Sequence, residues 1–178
     1  MNIFDVSSIN DGYIALDYIA VSSKNELWPQ FTGRSLSGDL ADVILKFVGD
    51  EKGSVGDFAY LTPGILCCSE SAKNKLDDIS SSVEWIKFTI DGVQGHWYFI
   101  NVTDVKDCLD REKSEIDYLD DEETEIFDVE EYVFKDIESI DSYIFKVKGI
   151  EATQIFCTDK FVELIEDSSI TCVTFKKV

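Results

Sequence analysis

His96 is the only histidine in the chain, and a single histidine leaves few routes to nucleophilic or zinc chemistry. A Ser or Cys nucleophile needs a base held against it. Gly95-His96-Trp97 lies at the start of a strand-like run with no nucleophile-elbow pattern around it, and reads as a turn or surface residue. No glycine loop has phosphate-binding spacing. The five cysteines, Cys67, Cys68, Cys108, Cys157 and Cys172, are odd in number and match no zinc or haem spacing. Cys67 and Cys68 would point to opposite faces of a strand, which argues against a shared metal. Cys157 and Cys172 sit in apolar runs and read as buried thiols. Carboxylates remain. Asp107, Asp110, Glu112 and the run Asp120-Asp121-Glu122-Glu123 could supply oxygen ligands to calcium or magnesium. A calcium loop of the EF-hand type needs alternating ligands, a central glycine and a closing Glu, and the acidic stretch contains no glycine. No metal and no cofactor is assigned.

The carboxylates matter more as a field than as ligands. The net charge is -20 over 178 residues. Seventeen acids face four bases between Asp104 and Asp141, whereas from Ser142 onward there are five of each. Such a field repels nucleic acid and anionic membrane, and it attracts a cationic partner and speeds its arrival. A solvated face with no specific use is the plain alternative. With 44% hydrophobic and 12% aromatic residues the chain is too rich in core material to be a disordered acidic tail. The excess charge is therefore expected on the surface of a folded body.

The elements that must position this charge are legible in part. The first forty residues read as irregular, with Gly12, Gly33 and Gly38 as turn signals, short strand-like groups at Tyr13–Leu16 and Ile19–Val21, and Leu27, Trp28 and Phe31 as core anchors. Val43–Val48 reads as a core-packed run, followed by a glycine-rich loop from Gly49 to Gly56. Ser69 or Ser71 caps a short helix in which Ala72, Leu76 and Ile79 share a face. Trp85–Ile90 and Trp97–Val102 are strands, the second apolar enough to be central in a sheet. Ile116, Tyr118, Leu119, Ile126-Phe127, Val129 and Tyr132-Val133-Phe134 anchor the acidic segment to the body, with an exposed loop at Leu119–Glu125. Asp110 and Arg111 read as a local ion network holding the turn into that segment, in preference to Arg111 being offered to a ligand. Strands at Tyr143–Val147, Gln154–Cys157 and Ile170–Phe175 flank a helix capped by Thr158 or Asp159, with Phe161, Leu164 and Ile165 as its buried stripe.

Several blocks together resemble a bacterial immunity-protein family found beside polymorphic toxins, once catalogued only as a domain of unknown function. They are Gly64-Ile65-Leu66-Cys67-Cys68-Ser69-Glu70-Ser71-Ala72, then Tyr98-Phe99-Ile100-Asn101-Val102 followed by Val105, Leu109-Asp110 and Ser114. Ile144-Phe145-Lys146-Val147 and Ile155-Phe156-Cys157-Thr158-Asp159-Lys160-Phe161 come next, and Ile165-Glu166 with Ile170–Phe175 close the series. The similarity covers about residues 60 to 178. The chain departs from the pattern at Asp167-Ser168-Ser169, where the family has a glycine-containing turn, and at Cys67. The resemblance implies a protein that binds and neutralises a toxin, and it carries no catalytic residues to transfer.

The expected fold is α+β, with a mixed or largely antiparallel sheet and a few short helices. An irregular segment over 1–60 with short strands and an immunity-like domain over 61–178 are expected to form one compact unit. The expected function is binding and occlusion of a cognate, cationic toxin, with no enzymatic step, no nucleic acid and no membrane. The partner contacts are assigned to Asp107, Asp110, Glu112, Asp117, Asp120, Asp121, Glu122, Glu123 and Glu125. With no long apolar run and no basic leader at MNIFDVSSINDG, a cytoplasmic address is expected. Two other readings stay open: a carboxylate-dependent or divalent-metal hydrolase, which would show a pocket with converging acids, and a structural or oligomer-forming module, which would show a large exposed apolar patch.

Overall fold

The computed structural model describes residues 1–8, 12–20, 31–36, 43–49 and 53–178; Val21, Leu27, Trp28 and Gly38, and part of the Gly49–Gly56 loop, lie outside the described residues. The strands are β1 (Ile3–Ser8), β2 (Ala15–Ala20), β3 (Ile44–Val48), β4 (Phe58–Thr62), β5 (Ile65–Ser69), β6 (Val83–Ile90), β7 (Trp97–Val102), β8 (Val105–Lys106), β9 (Glu115–Tyr118), β10 (Ile126–Glu131), β11 (Ile144–Val147), β12 (Phe156–Thr158) and β13 (Val173–Lys177). The helices are α1 (Glu70–Lys75) and α2 (Asp159–Asp167). One sheet has the order β13-β1-β12-β11-β8, a second has β2-β3-β6-β7-β5-β4, and β9 and β10 form a separate hairpin. Among the described strand pairs only β3 with β6 and β8 with β11 are parallel, and the isolated bridge between Tyr13 and Ser54 is parallel as well. The fold is thus α+β with mostly antiparallel sheets and a few short helices.

Three apolar cores account for the near-continuous apolar runs. Adjacent strand residues point to opposite faces, and here both faces of each sheet are covered. Cys67 and Phe99 enter a core on the outer face of the six-stranded sheet with Phe31 and Phe88. Their neighbours Cys68 and Ile100 enter a central core with Phe161 and Ile165 of α2 and Leu76 after α1. In the five-stranded sheet Ile144 and Cys157 join that central core, while Phe145 and Phe156 face a third core on the far side. A strand covered on both sides loses its polar alternation, which is why β7, between β6 and β5, reads as almost wholly apolar.

The ends of the helices show where local chemistry agrees with the sequence and where it does not. Ser69 accepts a hydrogen bond from the Ala72 N–H at 3.2 Å and caps α1. At α2 Thr158 takes the expected N-cap position, but neither it nor Asp159 makes a side-chain cap hydrogen bond. Thr158 Oγ1 donates instead to Ser142 O at 2.8 Å, and the Asp159 carboxylate accepts from Asn2 N and Nδ2 at 2.7 and 2.9 Å, fixing the start of β1. Those hydrogen bonds hold Asp159 below the usual carboxylate range. At its C-terminus α2 closes with Ile170 N–H on Ile165 O and Ser169 N–H on Glu166 O. Ser169, at φ +51°, takes the left-handed position that usually falls to glycine. This is the stretch where the resemblance implies a glycine-containing turn. The last strand begins at Val173 and not at Ile170, because Cys172 also has positive φ (+66°) and breaks the alternation there.

Two buried polar residues tie segments together. Asn101 Nδ2 donates to Arg34 O at 2.8 Å and to Glu84 Oε2 at 3.0 Å, and Glu84 also accepts the Leu36 N–H at 2.7 Å, so the 31–36 segment is pinned to β6 and β7. Lys146 is fully buried in β11 and donates to Phe31 O at 2.7 Å, Glu151 O at 2.5 Å and Gly64 O at 3.4 Å. Gly64, at φ +74°, lies so close to the 151–153 turn that a Cβ would sit 2.4 Å from Ala152 O. These contacts join the β4–β5 turn of one sheet to β11 of the other.

Candidate functional site: an acidic hairpin

Residues 112–131 hold eleven acids and one lysine, a net of -10, half of the chain's -20. They form the β9–β10 hairpin and its turn. The register pairs Ile126 with Tyr118, Asp128 with Asp117, Val129 with Ile116 and Glu131 with Glu115, with irregularities at Phe127 and Glu130. Each irregularity is one extra residue in β10, and such a bulge re-aims the side chains that follow it. Ile126 and Val129 therefore both turn inward to the third core, with Ile116, although they are three residues apart. Phe127, Asp128, Glu130 and Glu131 all remain exposed.

The base of the hairpin is closed by the Leu109-Asp110 to Ser114 block and the segment that follows β10. Asp110 N–H donates to Val133 O at 2.8 Å and Lys135 N–H to Cys108 O at 2.7 Å, around a bridge between Leu109 and Phe134. Ser114 Oγ accepts from Val133 N–H at 3.0 Å, and Ser114 N–H donates to Asp110 O at 2.9 Å. The block Leu109-Asp110 to Ser114 is thus a clamp on the entry to the hairpin. Arg111, Lys135 and Lys148 line a cleft of about 490 Å³ there with Asp107, Asp110 and Glu112, so the cleft carries both signs of charge.

The nine assigned carboxylates separate by environment. Asp107 pairs with Lys148 at 3.1 Å and Asp110 with Lys113 at 2.8 Å; the hydrogen bonds from these lysines hold both acids below the ordinary range. Asp120 accepts from Thr124 Oγ1, from Thr124 N–H at 2.9 Å and from Glu125 N–H at 3.1 Å, which lowers its pKa and folds the turn. Glu112, Asp117, Asp121, Glu122, Glu123 and Glu125 are exposed. Among the described residues no lysine or arginine forms an ion pair with any carboxylate from Glu115 to Glu131.

Two features of the hairpin work against its own stability. Asp117 faces Asp128 and Glu115 faces Glu131, and like charges directly opposite are unfavourable. Glu123 holds φ +55°, a left-handed conformation that costs a non-glycine residue roughly 1–2 kcal/mol.

The other chemistry-bearing residues are placed elsewhere. His96 is exposed, with Nε2 3.3 Å from Lys87 Nζ. All five cysteines are free and buried, Cys108 in the third core and the rest in the other two. Burial pushes the Cys68 thiol up to about 12 and Cys108 to about 11, and raises Cys67 and Cys157 as well. Among the described residues no three of His, Cys, Asp and Glu gather as a metal ion would require. No helix among them is long and apolar enough to cross a membrane.

No curated protein matches the chain. The Immunity protein family (Imm11) matches it over residues 22–178, so the match takes in the 31–36 segment and β3 as well as the blocks beyond residue 60, and begins after β1 and β2. With the family comes a toxin-neutralising, non-enzymatic role, and by this match the chain belongs to the Imm11 immunity protein family.

Proposed function

We propose that this immunity protein neutralises a cognate, cationic toxin in the cytoplasm by occlusion, and that the β9–β10 hairpin is the face it presents. The observation that carries the reading is the bare charge of that hairpin. Elsewhere Asp104, Asp107 and Asp141 are each matched by a lysine, Lys106, Lys148 and Lys160. Among the described residues the acids from Glu115 to Glu131 have no basic partner, and Asp117 faces Asp128 and Glu115 faces Glu131 across the strands. Clustered like charge raises the local potential and steers an oppositely charged partner. A toxin that must hold nucleic acid phosphates carries such a basic surface, and an acidic cover over it blocks access without chemistry. Asp121, Glu122, Glu123 and Glu125 are the contacts assigned to the tip, with Asp117 on β9 next to it and Glu112 at the base. Asp120 shapes the turn, and Asp107 and Asp110 hold its base.

The test is association kinetics with the toxin encoded beside this chain. Neutralising the tip together (Asp121→Asn, Glu122→Gln, Glu123→Gln, Glu125→Gln) is expected to lower the on-rate at least tenfold at low salt. The difference should vanish near ~0.5 M salt, where screening acts within ~4–5 Å. An on-rate unchanged by the quadruple substitution at low salt refutes the hairpin as the docking face.

A further inference from the structure

Charge alone does not hold a complex together. Exposed ion pairs are individually weak and screened, so an interface built only on carboxylates would form fast and dissociate fast. The hairpin carries something else. Phe127 is 66% exposed and Leu119 62%, the two highest values among the large hydrophobic residues described. Neither is in a core. Tyr118 and Ile126 are paired, and Leu119 N–H donates to Glu125 O at 2.8 Å, so Leu119 lies opposite Glu125 and Phe127 follows two residues later. The two side chains are diagonal neighbours across the hairpin. Phe127 is also the extra residue of the first bulge. That bulge keeps Val129 inward and brings Asp128, opposite Asp117, outward beside the ring. An apolar pair ringed by carboxylates is thereby built into the backbone and is not a chance exposure of one side chain.

We propose that Phe127 and Leu119 are the apolar anchors of the toxin interface, seating in a hydrophobic pocket of the partner that is rimmed by lysine or arginine. The inference rests on the hairpin reading above and assigns a division of labour within it. The carboxylates set the rate of encounter, and the buried aromatic and leucine set the residence time. Aromatic anchors in a desolvated centre with a charged rim are the usual distribution of energy in such interfaces. Charge complementarity fixes the kind of partner: the carboxylates around Phe127 disfavour an anionic lipid surface and disfavour a second acidic copy of this chain.

The experiment measures on- and off-rates of the full chain with the toxin encoded beside it, for Phe127→Ser, Leu119→Ser and the double variant. Because both side chains are exposed, thermal melting should match wild type. The double variant is expected to dissociate at least tenfold faster, with an on-rate within about twofold of wild type, the pattern seen when affinity is tuned through dissociation. If the off-rate is unchanged while the neutralised tip still slows association, the anchors are refuted and the electrostatic docking face stands. If the off-rate rises but neutralising the tip leaves association unchanged, the anchors stand and the steering role falls. If wild type does not bind this toxin at all, both are overturned. Sedimentation of wild type and Phe127→Ser covers the other occupant: a wild-type dimer that becomes monomeric in the variant assigns the pair to self-association and overturns the proposal.

Discussion

Replacing Lys146 with methionine is expected to destabilise the fold by about 2 kcal/mol at neutral pH. The side chain is buried with no carboxylate in contact among the described residues, and its three N–H groups go to the carbonyls of Phe31, Gly64 and Glu151. Methionine keeps the unbranched shape and removes every donor. The two short contacts leave behind buried acceptors worth ~2–3 kcal/mol each, and the 3.4 Å contact to Gly64 adds little. Against this stands the cost of burying an ammonium. Burial lowers the Lys146 pKa from 10.5 to about 8, partly opposed by the Glu151 charge, and that shift corresponds to ~3 kcal/mol. Urea unfolding of both proteins gives the difference, with an unchanged m-value as the check that only stability has moved. The sign with pH follows from linkage. Between pH 8 and 10.5 the unfolded chain holds the Lys146 proton and the folded chain has released it. Stability of wild type therefore rises with pH through that window relative to the methionine variant, and the gap widens. Cysteine ionisation in the unfolded state weakens both proteins alike there and cancels in the difference. A methionine variant as stable as wild type at pH 7 would show that the carbonyls do not depend on the lysine. A gap flat from pH 7 to 10 would refute the depressed pKa.

Four further outcomes are expected. Ser169→Gly should raise stability by ~1 kcal/mol, read as a melting temperature higher by about 2–4 °C, because glycine adopts the left-handed cap of α2 without strain. Gly64→Ala should lose roughly 3 kcal/mol or more, since its Cβ would collide with Ala152 O in a backbone already at positive φ, and chemical denaturation would show it. All five thiols should resist a water-soluble maleimide in the native protein and react fully in denaturant, given the burial of all five and the raised pKa values of Cys67, Cys68, Cys108 and Cys157; labelling of the native chain counted by mass spectrometry is the check. Asp128→Asn should stabilise the chain by ~0.2–1 kcal/mol by relieving the facing Asp117, while Oδ1 still accepts the Val129 N–H, and it should slow association with the toxin.

What was legible in the sequence follows a physical pattern. The α2 stripe of Phe161 and Ile165 is visible because one face is buried and the other wet. β7 is visible because both of its faces are buried. The cap at Ser69 is a local contact and can be read locally. The hairpin is a different case: its inward residues Ile126 and Val129 stand three apart, a spacing that fits no strand until the bulge is known. β1 and β4 carry little local signal either: the register of β1 is set by the distant β12 and β13, and β4, though it pairs with the next strand β5, does so through an irregular register between Ala59 and Thr62. Lys146 gave the least signal of all. A lysine within Ile-Phe-Lys-Val ordinarily marks the wet face of a strand, and only the approach of the Phe31, Gly64 and Glu151 carbonyls makes it a core residue.

The same contrast bears on why the charge sits where it does. If negative charge served solubility alone, repulsion would be least with the acids spread over the surface and interleaved with lysines. Much of this chain does that, as the pairs at Asp104, Asp107 and Asp141 show. The hairpin does the reverse. It sets Asp117 against Asp128 and Glu115 against Glu131, and it keeps Glu123 in a conformation suited to glycine. Each arrangement costs stability, and the hairpin has only a narrow apolar footing, chiefly Ile116, Ile126 and Val129, to offset it. A cation docked on the hairpin would relieve the facing acids and would gain most where the free protein is most strained. The unfavourable pairs of the free protein are then part of the binding free energy, which is why relieving them by Asp128→Asn should move stability and association in opposite directions.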